Sequence, residues 1–259
     1  MQQTNLAPRL SLSYKLNKNS QTSMAYGRFY QNPDDNLLIT DQNLDFQSAD
    51  HYILNYQYMT DKRTFRAEAY YKNYNNLVKY TSDDFNNLNN NGNGYARGVD
   101  IFWRDRKTLP TADYWISYSF LDTKRNFNDY PTAARPSFAA KHTLSLVYKQ
   151  YLTAIHSQVG FTYTYASGRP YYNPNNIDFM SDRTRDYHNL SMNISYLTRV
   201  MRQFTVVYLS INNVPGITNI YGYNYSKDGS VRQPIEPPAR RTIFLGMFIT
   251  IGSSDFNAL

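Results

Sequence analysis

Apolar and polar residues swap places with period two along about eleven segments, each roughly ten residues long and each followed by turn residues. Gly160–Ala166 reads Gly-Phe-Thr-Tyr-Thr-Tyr-Ala, and Asn189–Tyr196 sets Leu190, Met192, Ile194 and Tyr196 against Ser191, Asn193 and Ser195. Successive side chains of a strand point to opposite faces, so each segment carries one greasy face and one wet face. No stretch carries a convincing helical period. The greasy face is rich in Tyr, which suits a membrane barrel better than a water-excluded soluble core.

The expected strands are Arg9–Leu16, Gln21–Gln31, Ala49–Met59, Thr64–Tyr74, Tyr95–Asp105, Ala112–Asp122, Lys141–Gln150, Ile155–Ser167, Tyr187–Leu197, Gln203–Asn213 and Ala239–Gly252. Their length of about ten matches tilted membrane strands. Short connections (Asn17–Ser20, Thr60–Arg63, Arg106–Thr111, Tyr151–Ala154, Thr198–Arg202) alternate with long ones (Asn32–Ser48, Asn75–Gly94, Thr123–Ala140, Gly168–Asp186, Val214–Pro238). Short turns on one rim and long loops on the other describe an outer-membrane barrel. The Asn-rich run Asn86–Gly94 reads as a loop tip.

The fold class is therefore all-β, an antiparallel up-and-down segment of a transmembrane barrel. The lipid face is expected to carry Leu10, Leu12, Tyr14 and Leu16; Tyr52, Leu54, Tyr56 and Tyr58; Val99, Ile101 and Trp103; Tyr114, Ile116, Tyr118 and Phe120; Leu144, Leu146 and Tyr148; Val159, Phe161, Tyr163 and Tyr165; and Ile243, Leu245, Met247, Ile249 and Ile251. The opposite face takes Ser11, Ser13, Lys15, Asn55, Gln57, Thr162 and Thr164, with Arg66, Glu68, Asp100 and Arg104 facing the lumen. A charge at mid-strand costs a few kcal/mol in lipid, so Arg66, Glu68 and Asp100 must face water or a polar domain. Gln203–Asn213 is apolar on both faces and does not fit the pattern.

Composition agrees once the alternation is taken into account. The 26 Tyr, 14 Phe and 2 Trp fit interfacial girdles. A mean hydropathy of −0.64 is compatible with lipid contact because only every second strand residue meets it. The chain has no Cys, which excludes disulfides and thiolate metal sites. Net charge is +7, but Lys and Arg are scattered and no nucleic-acid motif is present. The basic balance suits a pore wall or a surface on anionic lipid.

Eleven antiparallel strands cannot close on themselves, because the first and last run the same way and barrels of this kind hold an even number. Met1–Pro8 lacks the basic start and apolar core of an export signal. Together these lead to the expectation that residues 1–259 are a piece of a larger barrel.

Catalytic residues are not expected. His51, His142, His156 and His188 form no metal or nucleophile motif and read as structural strand-end residues. No phosphate loop, nucleophile elbow or dinucleotide fingerprint occurs, and neither a metal site nor a cofactor is expected. Asp34-Asp35 and Asp83-Asp84 lack the spacing of a calcium loop.

Several blocks together resemble the barrel of TonB-dependent outer-membrane receptors of the type common in Bacteroidota. They are Tyr26–Pro33 (Tyr-Gly-Arg-Phe-Tyr-Gln-Asn-Pro), Ala96–Phe102, Lys141–Leu144, Tyr163–Pro174 (Tyr-Thr-Tyr-Ala-Ser-Gly-Arg-Pro-Tyr-Tyr-Asn-Pro), Ser210–Val214 and Pro238–Gly246. The resemblance implies the C-terminal half of a barrel of about 22 strands, with the signal peptide, plug domain and remaining strands upstream. It implies energised uptake of a siderophore, glycan, cobalamin or peptide. Implied partners are outer-membrane lipid, the plug, the other strands, the TonB complex through the missing N-terminal part, and a surface lipoprotein. It further implies an aromatic last residue, whereas this chain ends in Leu259. Alternatives are another outer-membrane barrel, such as a porin or barrel enzyme, or a soluble β-rich protein with Tyr platforms for glycans.

Ligand contact is expected on Gly168–Pro174. Arg169 offers a planar fork of donors for carboxylate or phosphate. Tyr171 and Tyr172 supply flat amphipathic surface, Asn173 an adaptable amide, and Pro170 and Pro174 stiffen the loop. The alternative is that this stretch only shapes the loop.

Overall fold

The computed structural model describes residues 4–81 and 85–251. Asp83-Asp84 and the tail Ser253–Leu259 lie outside them. Eleven strands form one antiparallel sheet in which sequence neighbours pair: β1 (Arg9–Asn17), β2 (Ser20–Gln31), β3 (Gln47–Met59), β4 (Arg63–Thr81), β5 (Asn86–Asp105), β6 (Ala112–Asn126), β7 (His142–Leu152), β8 (Ser157–Ala166), β11 (Tyr187–Val200), β12 (Gln203–Asn212) and β15 (Thr242–Ile249). Two small hairpins lie within the long connections, β9 (Pro170–Tyr171) with β10 (Asp182–Arg183), and β13 (Gly222–Tyr225) with β14 (Arg232–Ile235).

The register carries the two faces across the whole sheet. One row runs Leu12, Met24, Leu54, Ala69, Val99, Phe120 from β1 to β6. Another runs Tyr148, Phe161, Met192, Ile211, Ile243 from β7 to β15. Between such rows lie the polar ones, including Ser23, Asn55, Glu68, Asp100, Ser119 and the pair Thr162, Ser191. A slip of one residue in any pairing would move a strand's entire apolar set to the wrong side. The apolar side chains stay open: Leu10 is 72%, Leu54 58% and Leu245 71% exposed. An aqueous globular fold would bury them.

Ion pairs bracket the apolar face. On the side of the long connections Arg28 Nε lies 2.7 Å from Asp50, and Arg97 Nε lies 2.9 Å from Asp122. On the side of the short turns Arg63 Nε lies 2.8 Å from Asp105. Between Arg97 and Asp105 on β5, eight residues rise about 26 Å along the strand, close to the ~25 Å apolar band of such barrels before tilt shortens it. Tyr hydroxyls reach for the same rim: Tyr26 donates to Asp50 (3.0 Å), and Tyr118 and Tyr163 meet His142 and His188 Nδ1 (both 2.9 Å). This explains the Tyr content of a greasy face, since each ring packs low and its hydroxyl bonds high.

The structure corrects several expectations. Asn86–Gly94 is strand, not a loop tip, because β4 and β5 continue past the rim as a bulged hairpin with shifts between Tyr74, Leu77, Lys79 and Thr81. Asn tolerates the left-handed conformation that the bulges require at Asn76 (φ 56°) and Asn87 (φ 55°). A Cβ on Gly92 would sit 2.4 Å from the Leu77 carbonyl oxygen, so only Gly fits there. The connection Asn32–Ser48 contains a helix, α1 (Asp35–Thr40). It packs Leu37 with Leu44 and Val78 into a small core under Leu38, Tyr80, Phe85 and Leu88, which anchors the hairpin. β8 begins at Ser157 after a single 3-10 turn (Thr153–Ile155), and the last strand is shorter than Ala239–Gly252, spanning Thr242–Ile249.

The pairing yields a direct test. Phe161 stands between Tyr148 and Met192, and Thr162 between Val147 and Ser191. Arg in place of Phe161 is expected to cost about 2–4 kcal/mol when that site lies near the bilayer midplane. Arg at Thr162 should be far milder, as measured by reversible unfolding of the full receptor in lipid. Equal costs would contradict the face assignment.

Candidate functional site

The long connections gather above one rim, and three of them enclose a cleft of about 1090 Å³. Its walls come from the β6–β7 connection (Tyr130, Phe138), the β8–β11 connection (Arg169, Tyr172, Phe179) and the β12–β15 connection (Tyr221, Tyr223, Lys227). Of the residues expected to touch ligand, all but Asn173 line it.

Backbone pairing sets the base of the cleft. Arg169 N–H donates to Thr184 Oγ1 (3.0 Å), and Thr184 N–H returns a bond to the Arg169 carbonyl (2.9 Å). Gly168 is required beside them, because a Cβ there would lie 2.0 Å from the Thr184 carbonyl oxygen. With its backbone held, Arg169 projects an exposed guanidinium that has no ion pair among the described residues.

The four expected residues divide by role. Tyr172 is 56% exposed and leans on Phe179, ring centroids 5.8 Å apart, as an open platform. Tyr171 is only 8% exposed. Its ring lies 4.7 Å from that of Tyr223 and its hydroxyl accepts a 3.4 Å bond from Arg232 Nη1. Burial and Tyr225 push the Tyr171 hydroxyl above its ordinary pKa, so it stays protonated at neutral pH. Asn173 donates to Asp182 and accepts from Asn175 N–H, closing the loop on itself. Arg169 and Tyr172 thus face the opening, while Tyr171 and Asn173 hold it.

The sequence reading passed over Tyr130, Phe179, Tyr223 and Arg232. Tyr221-Gly-Tyr-Asn-Tyr225 carried the signal, an alternation within a connection, and it forms the small hairpin that braces Tyr171. The hairpin's turn is fixed by Asp228, which accepts from Ser226, Ser230 and the Ser230 N–H, bonds that hold its carboxyl down to about 2.

The lumen-side expectations fall on one face as paired neighbours. Glu68 stands opposite Asp100, Asn55 Nδ2 donates to Glu68 (3.4 Å), and Ser119 donates to Asp100. Arg104 forks onto Asp113 and its guanidinium carbon lies 5.5 Å over the Trp115 ring. Arg66, opposite Gln57 and Phe102, is exposed. They are not brought together with the rim cleft. Among the described residues no cluster of three or more His, Cys, Asp or Glu could hold a metal.

A family model described as TonB dependent receptor-like, beta-barrel, matches residues 1–214. The chain belongs to that family. Its members are outer-membrane transport receptors of Gram-negative bacteria and not enzymes. No curated protein is significantly similar in sequence. Several solved structures share the fold. The ferric-catecholate import receptor Fiu of E. coli K12 aligns with a TM-score of 0.67 at 16% identity, covering 92% of this chain and 34% of its own. The FrpB iron transporter of Neisseria meningitidis gives 0.73 at 11% identity, covering 94% and 39%. The ferripyoverdine receptor of Pseudomonas aeruginosa gives 0.71 at 13%, covering 94% and 33%. The chain thus spans between a third and two-fifths of the length of these receptors.

Tyr171 is predicted to be a brace and Tyr172 a contact. Tyr171→Ala should expose the connection 167–186 to added protease in the full receptor at the cell surface, whereas Tyr172→Ala should leave cleavage unchanged.

Proposed function

We propose that this chain is the C-terminal half of the barrel of a TonB-energised import receptor, of the type common in Bacteroidota, and that its rim cleft contributes to capture of a nutrient ligand. The observation that carries the reading is the state of the two sheet edges. Among the described residues β1 and β15 are each paired on one side only and run the same way, since ten antiparallel steps separate them. In hydrocarbon each unpaired backbone group costs several kcal/mol, so neither edge can meet lipid. An odd, open sheet of this kind is supplied with partners by a further set of strands, and a plug would fill the polar side.

The ferric-catecholate, ferripyoverdine and iron transporters above suggest a ligand too large or too scarce for passive diffusion. In the cleft, Arg169 would engage an anionic group and Tyr172 a flat one. Energy coupling would lie in the plug and the inner-membrane complex, outside the residues present here.

Two expected results test this. Deleting the TonB partner in cells that carry the full receptor should abolish uptake of the nutrient while the barrel remains in the membrane; undiminished uptake would favour a porin. Arg169→Ala and Tyr172→Ala should each weaken ligand binding by about tenfold, roughly 1.4 kcal/mol, at unchanged barrel content. Lost assembly with intact binding in the surviving fraction would show that the connection is structural.

A further inference from the structure

A second group of cations lies away from the rim cleft, at the loop-side end of the polar face. Cross-strand pairing sets Arg9, Gly27, His51 and Lys72 in one row over β1–β4. The next row outward holds Phe29, Ala49, Tyr74, Gly94 and Arg125 over β2–β6. Gly27 and Gly94 let Phe29 and Arg125 lie flat on the sheet, since a Cβ at either would fall 2.9 Å from the Phe29 ring or from Arg125 Cγ. Two adjoining hollows result, of about 290 and 530 Å³, and both are lined by Phe29 and His51. Arg9 lines the first, and Arg125 and Asp34 the second.

These cations are held by rings instead of acids. The Arg9 guanidinium carbon lies 4.6 Å from the Phe29 ring centre, and the Phe29 ring lies 4.6 Å from that of His51. Lys72 Nζ lies 5.1 Å from the Tyr70 ring. The Arg125 guanidinium carbon stands 4.3 Å over Tyr74 and 5.4 Å from Phe138. Arg9, Lys72 and Arg125 form no salt bridge among the described residues, in contrast to Arg28, Arg63, Arg97 and Arg104. Arg125 Nε is buried with no hydrogen-bond partner. A buried donor left unmet costs about 1–3 kcal/mol, so an acceptor from outside the chain is favoured. Asp50, the acid next to His51 along β3, points to the other face, where Arg28 holds it.

We propose that this trough is an oxyanion site for a small molecule bearing several carboxylate or phosphate groups along its length. Within the hollows Arg9 and Arg125 present planar forks and His51 a ring nitrogen donor, while Lys72, across the strand pair from His51, adds a point charge beside them. The rings around Arg125, whose Nε is buried, lower the local dielectric and raise its pull on an anion. The spacing over several strands, each about 4.8 Å from the next, favours a molecule with separated anionic groups over a single phosphate. The proposal does not depend on Arg169 or Tyr172.

The test uses the full-length receptor in detergent, with tripolyphosphate and citrate as probes in isothermal titration calorimetry. Saturable 1:1 binding is expected, weakening as NaCl is raised, and falling at least tenfold in Lys72→Gln and in Arg125→Gln. Arg199→Gln, at the opposite end of the sheet, should bind as the parent does. The heat-modifiable gel mobility of each variant reports a folded barrel, and the salt series on the parent needs no variant. An equal loss in Arg199→Gln would mean diffuse charge attraction and overturn the site. No binding by the parent, with a lowered Tm in Lys72→Gln and Arg125→Gln, would overturn it too, by showing that an acidic segment elsewhere in the receptor already occupies these cations.

Discussion

Backbone pairing in a medium without water governs this structure. Each strand satisfies its N–H and C=O groups through its neighbours, and sequential hairpins do this with the least loop. Once pairing is fixed, the period-two alternation sorts side chains without further instruction. Tyr148, Phe161, Met192 and Ile211 fall on one side because their strands are in register, while Val147, Thr162 and Ser191 fall on the other. The two edges, β1 and β15, are where the same rule is left incomplete.

Charge placement follows from the same medium. Arg28–Asp50 and Arg97–Asp122 close the apolar face at one end and Arg63–Asp105 at the other, so no ion pair sits in the middle of that face among the described residues. Mid-strand carboxylates such as Glu68 and Asp100 are kept to the polar side, where Asn55 and Ser119 donate to them. Above the rim the physics reverts to that of a water-soluble protein. There a small core of Leu37, Leu44 and Val78 supports the β4–β5 hairpin, and stacked Tyr residues support the cleft.

Much of the sheet was legible because one constraint acts on every strand: β3, β6 and β11 lie where the alternation put them. What could not be read is instructive. Asn86–Gly94 has the composition of a loop, yet pairs with β4: Asn87 takes the positive φ of a bulge, and Gly92 fits where any Cβ would meet the Leu77 carbonyl. Helix α1 has too few residues for a period to show, and its apolar Leu37 packs with Leu44 and with Val78, the latter some forty positions away. The apolar second face of β12 pairs Val206 with Phe248 and Ser210 with Phe244, so it is part of a two-sided apolar corner with β15. In the cleft, the sequence pointed to Gly168–Pro174 but could not separate Tyr172, which is open, from Tyr171, which Tyr223 and Arg232 enclose. That difference depends on a distant hairpin and leaves no mark on the residues themselves.

The central claim is that one face of this sheet meets lipid and the other does not. The chain has no Cys, so single Cys residues can be placed without background. Labelling positions 159 to 164 of β8 one at a time, in the full receptor in its native membrane, reads the faces directly. The account predicts that 159, 161 and 163 react with a membrane-confined reagent and resist a water-soluble one, and that 160, 162 and 164 do not react with the membrane-confined reagent. Uniform reaction along the strand, or alternation in the opposite phase, would contradict it.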